Sequence, residues 1–194
     1  MPATALPTQC PTALKEWATV LEAMSRGEQL VLIRKGGLIE PGSGFELITN
    51  SVVFYPTFEH QAVNYVRPQF RGYFDDAVKQ RASEGQVRIA LCGLAISLTS
   101  SRDPEIIERL SAHHIYNREF LTQRLKWHPE TPLTIVLVRA FRLRAPITLP
   151  VSPIYAGCKS WVQLDAPIAL DGAQPVLTDE QFAQRAHEIA PLLA

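Results

Sequence analysis

Between Val87 and Leu98 the alternation of apolar side chains slips by one residue. Before Gly93 the apolar positions are Val87, Ile89 and Leu91; after it they are Leu94, Ile96 and Leu98. A strand has a side-chain period of two, so a slip turns the next stretch to the opposite face unless the strand carries a bulge. A bulged strand bends, and a bent strand suits a curled sheet or a small barrel. The segment therefore points to a curved sheet with its bulge at Gly93.

Other stretches supply the remaining elements. Residues 1–11, with Pro2, Pro7 and Pro11, read as a flexible tail, and 12–194 as one α+β domain. Leu14, Trp17, Ala18, Leu21 and Met24 fall at helical spacing before Gly27, which predicts a helix from about Ala13 to Arg26. Short β-rich runs follow at Leu30–Lys35, Phe45–Thr49 and Val52–Tyr55, the last stopping at Pro56, as in an antiparallel meander. Thr57 to about Ala82 is mostly helical in pattern, with a break at Pro68. Asp103-Pro104 and Asn117 are helix starts, the second helix ending near Trp127. Leu133–Leu143 is the longest strand, after which Pro146, Pro150 and Pro153 predict an extended, largely unpaired stretch. Ser160–Leu164 is a last strand, and Thr178 caps a final helix with Phe182, Ala186 and Ile189 facing inward.

Composition excludes some classes. The chain has 194 residues, 46% hydrophobic and 20% charged, which is ordinary for a packed domain and too apolar for a disordered one. Nineteen basic residues balance nineteen acidic ones, so no global field marks a non-specific duplex or membrane-surface binder. The strictly aliphatic run Ile135–Val138 is far short of the ~20 residues of a membrane helix. No cationic start followed by an apolar core opens the sequence, and three cysteines form an odd set, so the expected location is the reducing cytoplasm. Charge is uneven along the chain. Arg118–Arg144 carries six Lys or Arg and two Glu, whereas 165–194 carries five acids and one Arg. The acidic terminal helix either shields a basic face of its own chain or is simply solvated.

Arg139 is the most informative side chain. The odd positions of its strand, Leu133, Ile135, Leu137, Phe141 and Leu143, form the more apolar face, so Arg139 is in line with buried neighbours. A buried guanidinium needs a carboxylate, carbonyls or a bound anion. Glu16, Glu40 and Glu46 are the candidate internal partners; an anionic ligand is the alternative. Arg34-Lys35-Gly36-Gly37 combines two cations with two glycines that let a backbone approach a ligand closely, although a charged hairpin turn looks the same. In Gly157-Cys158-Lys159-Ser160-Trp161, Lys159 and Ser160 suit a phosphate, and Trp161 suits a base if it is not core. Arg34, Lys35, Gly36, Gly37, Arg139, Lys159, Ser160 and Trp161 are thus the candidate anion-binding set. Glu16, Glu40, His60 and Trp127 are candidate accessory groups.

Several chemistries lack their residues. There is no phosphate-binding Gly-Lys-Ser/Thr loop, no Gly-x-Ser-x-Gly elbow, and no acid with a lysine two places on. Cys158 has Lys159 beside it but no evident histidine base, so no catalytic residue is assigned. His113 and His114 are adjacent and diverge on a helix, and neither His-x-x-x-His nor Cys-x-x-Cys occurs, so no metal or other cofactor is expected.

Two blocks carry a resemblance. Leu14-Lys15-Glu16-Trp17, Gly27, Leu30–Lys35 with Gly36-Gly37, Phe45, Tyr55-Pro56-Thr57 and His60-Gln61 resemble the domain of unknown function 1802 family. Arg124-Leu125-Lys126-Trp127, Pro132-Leu133, the strand through Arg139 and Tyr155–Trp161 are similar to its later blocks, so the likeness spans Leu14 to Leu164. The family has no established activity; its loose association with endonucleases meets no carboxylate–lysine motif here. A weaker, fold-level likeness to PUA-type barrels, many of which bind RNA, rests on the bulged strand and on Arg142-Leu143-Arg144-Ala145-Pro146-Ile147.

The expectation is a curved, mostly antiparallel sheet or partial barrel flanked by helices. Its expected function is non-enzymatic binding of a phosphate-bearing ligand, nucleic acid foremost or a nucleotide, with no membrane partner. The alternatives are an enzyme acting on nucleic acid through Glu16, Glu40, His60 and Lys159, and a protein-interaction domain.

Overall fold

In the computed structural model, seven strands among the described residues make one sheet, and five α-helices flank it. Residues 5–35, 47–59, 61–155, 157 and 159–193 are described. The strands are β1 (Gln9–Trp17), β2 (Val31–Arg34), β3 (Ser51–Thr57), β4 (Gln86–Ser101), β5 (Leu133–Pro150), β6 (Trp161–Ala169) and the short β7 (Gln174–Pro175). The helices are α1 (Ala18–Ser25), α2 (Gly72–Lys79), α3 (Glu105–Arg109), α4 (Arg118–Lys126) and α5 (Asp179–Ile189). The order across the sheet is β2-β5-β4-β3-β1-β6, with β7 on β5. Every pair is antiparallel except β1 with β3. The fold is thus α+β around a curled, mostly antiparallel sheet.

The long β4–β5 ladder carries the bend, but not where the side-chain phase placed it. Its register shifts between Ile89 and Leu91 and again between Ala95 and Ser97. Gly93 itself stays in register opposite Ala140. Its role is close approach. A Cβ there would lie 2.8 Å from the Phe54 ring and 2.9 Å from a Val138 methyl. The phase slip arises because this stretch is buried from Leu91 to Ala95 on both faces, so apolarity no longer alternates.

Burial on both faces also explains the largest departure from the sequence pattern. Residues 9–17 form strand β1, not the first half of a helix, and α1 starts only at Ala18. β1 lies between β3 and β6, and Ala13, Leu14, Glu16 and Trp17 are all buried. Its burial is near-continuous from Thr12 to Trp17, so its apolar residues do not alternate, and with those of α1 they imitate helical spacing. The strand begins at Gln9, inside the stretch read as tail. Strand β3 continues through Pro56, which sits opposite Glu16 of β1 in the parallel pair. The parallel pair also breaks the expected meander. Leu47–Thr49 is not a strand, and Phe45 and Glu46 lie outside the described residues. The helical pattern from Thr57 resolves into two single turns of 3-10 helix and α2. Pro146 and Pro150 are in β5, paired with β4 through Ile147 opposite Ile89 and Pro150 opposite Gln86.

The starts of α3, α4 and α5 follow the sequence closely. Asn117 Oδ1 accepts from Phe120 N at 3.0 Å, and Asp103 Oδ1 accepts from Glu105 N at 2.8 Å. Thr178 and Gln181 form a reciprocal capping box on α5. Cys10 and Cys92 are buried free thiols, and burial pushes Cys92 up to about 12. Among the described residues, no helix is long and apolar enough to cross a membrane.

A buried histidine couples the core to pH. His114 is 1% exposed, and its Nε2 lies 3.0 Å from Ile107 O. Burial, together with the neighbouring Arg67 and His113, drives its pKa down to about 4, while the Ile107 carbonyl opposes the shift. The unfolded chain therefore binds this proton more readily than the folded one, and the stability associated with neutral His114 is lost as pH falls from about 6.5 toward 4. Urea unfolding should show a loss of about 3 kcal/mol over that interval, and His114→Gln should flatten it. Gly93→Ala should cost about 1–3 kcal/mol through overpacking, whereas Gly72→Ala, which meets open space, should stay within about 0.5 kcal/mol.

Candidate functional site

The curl of the sheet brings together strands that are far apart in its order. β2 is an edge strand, and three strands separate it from β1. Even so, Arg34 Nη1 of β2 donates to Glu16 Oε2 at 3.0 Å and to Lys15 O at 3.1 Å on β1. Glu16 is 4% exposed, and its other oxygen accepts from Trp17 N at 2.7 Å. Both carboxylate oxygens are therefore engaged, and the pair closes the sheet across its open side.

A cleft of about 690 Å³ opens beside this pair. Arg34, Glu16, Trp127, Lys159 and Ser160 all line it, so five of the residues singled out in the sequence meet there. Three pieces of chain hold them. The first is the β1–β2 crossing. The second holds Gly157, Lys159 and Ser160, tied to β1 where Lys15 N donates to Ser160 O at 2.8 Å and Lys15 Nζ donates to Gly157 O at 3.0 Å. The third is α4, whose residues Phe120, Gln123 and Arg124 at helical spacing face the cleft, with Trp127 just past its end.

Aromatic rings build the wall. Trp17 lies 5.0 Å from Phe120 and 6.4 Å from Tyr65, while Tyr116 stacks on Phe120 at 4.4 Å. Tyr116 is buried, which pushes its phenol pKa well up and keeps it neutral. Tyr65 donates to Gln123 Oε1 at 2.5 Å.

Arg124 is the residue that sequence reasoning missed. Its guanidinium lies 5.3 Å from the Phe120 ring, and its Nε is shielded from solvent without a hydrogen-bond partner among the described residues. Burial, followed by the charge of Arg34, lowers its pKa. An unsatisfied buried donor on a cation is costly, and an anion would satisfy it. The signal available was its place at i+4 from Phe120 and i−3 from Trp127 on the α4 face.

Other candidates lie elsewhere. Lys35 is buried and donates to Arg124 O at 2.8 Å and Leu125 O at 2.9 Å, so it caps the end of α4. Arg139 is not in the cleft. It pairs with Asp179 at the start of α5 and sits 5.3 Å from Phe141 and 5.5 Å from Phe182. The requirement for a carboxylate was sound, but of the expected partners Glu16 pairs with Arg34, and Glu40 and Glu46 lie outside the described residues; β7 and α5 cover this part of β5 and bring Asp179 to it. The contact also shows the acidic terminal helix engaging the basic strand. Trp161 pairs with Leu14 on β1 and packs against the main core rather than lining the cleft. Gly36, Gly37, Glu40, His60 and Cys158 lie outside the described residues. Among the described residues, no group of three His, Cys, Asp or Glu could hold a metal ion.

The family model for the domain of unknown function DUF1802 matches residues 13–188. The chain belongs to this family. The DUF1802 match extends past the β6 region that carries the sequence resemblance and takes in β7 and most of α5. No curated protein matches the chain. Crystal structures of ASCH from Zymomonas mobilis are similar to it. A point variant shares 12% identity at a TM-score of 0.41, covering 95% of this chain and 99% of that one. The parent protein shares 10% identity at a TM-score of 0.41, covering 91% and 93%.

The Arg34–Glu16 pair can be tested by a double-mutant cycle. Arg34→Met should destabilise the fold by about 3–5 kcal/mol by leaving Glu16 buried and unpaired. Adding Glu16→Leu should recover a large part of that loss, as read by chemical denaturation; simple additivity of the two changes would contradict a direct pair.

Proposed function

We propose that this DUF1802 protein is a non-enzymatic binding module for a phosphate-bearing ligand, nucleic acid foremost, held in the cleft between α4 and the β1–β2 crossing. The carrying observation is that Arg34, Arg124 and Lys159, from distant stretches of sequence, line one hollow walled by aromatic rings. Guanidinium groups suit phosphate because their planar fork donates in pairs. Exposed Lys159 adds charge at the cleft, and Trp127 offers a ring on which a base can stack. Glu16 supports binding rather than proton transfer, since both its oxygens are already occupied in holding Trp17 N and Arg34. The cations are local, which fits an unpaired strand entering a cleft better than a duplex lying on a charged face. We place the protein in the cytoplasm, a reading supported by the odd cysteine count and the buried thiols of Cys10 and Cys92.

Fluorescence anisotropy with labelled single-stranded RNA, single-stranded DNA and duplex, at low and moderate salt, tests this reading. Single strands should bind more tightly than duplex. Lys159→Ala should weaken binding about uniformly across sequences and lower the salt slope by about 1. No binding of any of the three at low salt would defeat the reading. So would unchanged affinity in a Lys159→Ala/Arg124→Ala variant that melts like the parent.

A further inference from the structure

A second cleft, of about 540 Å³, lies on the other side of the end of β3. It is floored by Phe54, Leu91 and Leu143 from β3, β4 and β5, and walled by α1 and α2. No feature of the sequence pointed to it, and the function proposed above does not use it. Thr57 and Glu59 line both clefts, so the two meet at the chain leaving β3.

The second cleft repeats the chemistry of the first. Arg81, Arg88 and Arg142 line it. Arg81 is exposed and its guanidinium sits 4.9 Å from the ring of Phe58, itself half-exposed in the same cleft. Arg88 donates to Gln80 Oε1 at 3.2 Å, and Arg142 reaches the Ser25 carbonyl at the end of α1. Taken together, the described lining of the two clefts has seven Lys or Arg against Glu16, Glu22 and Glu59, in a chain whose formal net charge is zero. Glu16 is bound to Arg34, and Glu22 is held by Arg26 at 2.6 Å, which leaves Glu59 as the carboxylate at the junction. Positive charge is therefore concentrated along this one track. Each hollow holds both rings and guanidinium groups: Trp127 and Arg124 in one, Phe58 and Arg81 in the other. Such a series matches a flexible chain of alternating bases and phosphates.

We infer that the two clefts form one continuous track, along which a single-stranded nucleic acid passes from the Arg34–Arg124 hollow, over Thr57–Glu59, into the Arg81–Arg88 hollow. This rests on the reading of the first cleft as a phosphate site and extends it. The ligand is an unpaired strand of several nucleotides, not a lone nucleotide and not a duplex. Site sizes of roughly 4 nucleotides or more are usual for a groove that stacks bases in series.

The experiment is a length series of labelled oligouridylate and oligothymidylate, from the dinucleotide to the octanucleotide, titrated by anisotropy against the full chain. Affinity should rise about tenfold or more between the dinucleotide and the hexanucleotide, then level off. Arg81→Ala/Arg88→Ala should erase that gain while leaving dinucleotide affinity unchanged, because the first cleft is intact. Arg81 is exposed and Arg88 half-buried, so a thermal melt must show that the variant remains folded. Equal affinity for dinucleotide and hexanucleotide overturns the track and leaves the first cleft standing. A length gain that survives the Arg81/Arg88 change also overturns it. Failure of every oligonucleotide to bind removes the first reading along with the second.

Discussion

The Arg34–Glu16 ion pair is the contact around which the molecule closes. An open sheet with β2 at one edge has no backbone reason to bring that edge near β1. The curl does so, and the pair fixes the result by joining two largely buried side chains. Desolvating two charges is expensive, and their attraction offsets this only when their remaining hydrogen-bonding capacity is used. Here it is used: Lys15 O accepts from the guanidinium, and Trp17 N donates to the carboxylate. Because both partners sit at the cleft wall, the interaction that closes the sheet also sets the electrostatics of the hollow beside it. Glu16 balances Arg34, and Arg124 remains as the nearby cation with an unused buried donor.

The curl follows the β4–β5 ladder, and Gly93 sits between its two register shifts. Gly93 lets the β4 backbone press against Phe54 and Val138 where any larger residue would push them apart. On either side of it the β4–β5 register shifts, and on the β5 strand the stretch between Arg142 and Ile147 spans the first shift and includes Pro146. Proline lacks an amide proton, and irregular pairing is where a strand tolerates it. The bend and the proline thus occupy the same place for one reason. The same bend exposes the hollow floored by Phe54, Leu91 and Leu143, so the second cleft is a consequence of how the ladder turns.

Much of this was legible in the residues, and what was not has a common cause. Helix starts at Asp103, Asn117 and Thr178 were readable because capping is local: a side chain bonds an amide two or three residues away. Arg139 was readable as a cation needing an acid, but not as the partner of Asp179, because that pairing joins residues 40 apart in the chain. Strand β1 was misread because a strand buried on both faces loses its period of two. Lys35 looked like a ligand group because nothing local reveals that the last carbonyls of α4 come to meet it. Arg124 was overlooked for the converse reason: on an isolated helix it is an ordinary surface arginine.

The sequence by itself determined the class of fold and the helix starts at Asp103, Asn117 and Thr178, since these follow from side-chain spacing and from local capping, and its motifs carried the family resemblance. It also marked Arg34, Glu16, Trp127, Lys159 and Ser160 as residues of interest. Only the tertiary structure decided which cations share a hollow and which are spent inside the fold. Arg34, Arg124 and Lys159 converge, whereas Lys35 ties down a helix end and Arg139 is drawn to α5. The reason is range. Caps and periodicity act over a few residues, whereas the partner of a charge is whichever group the curl of the sheet carries within about 4 Å of it.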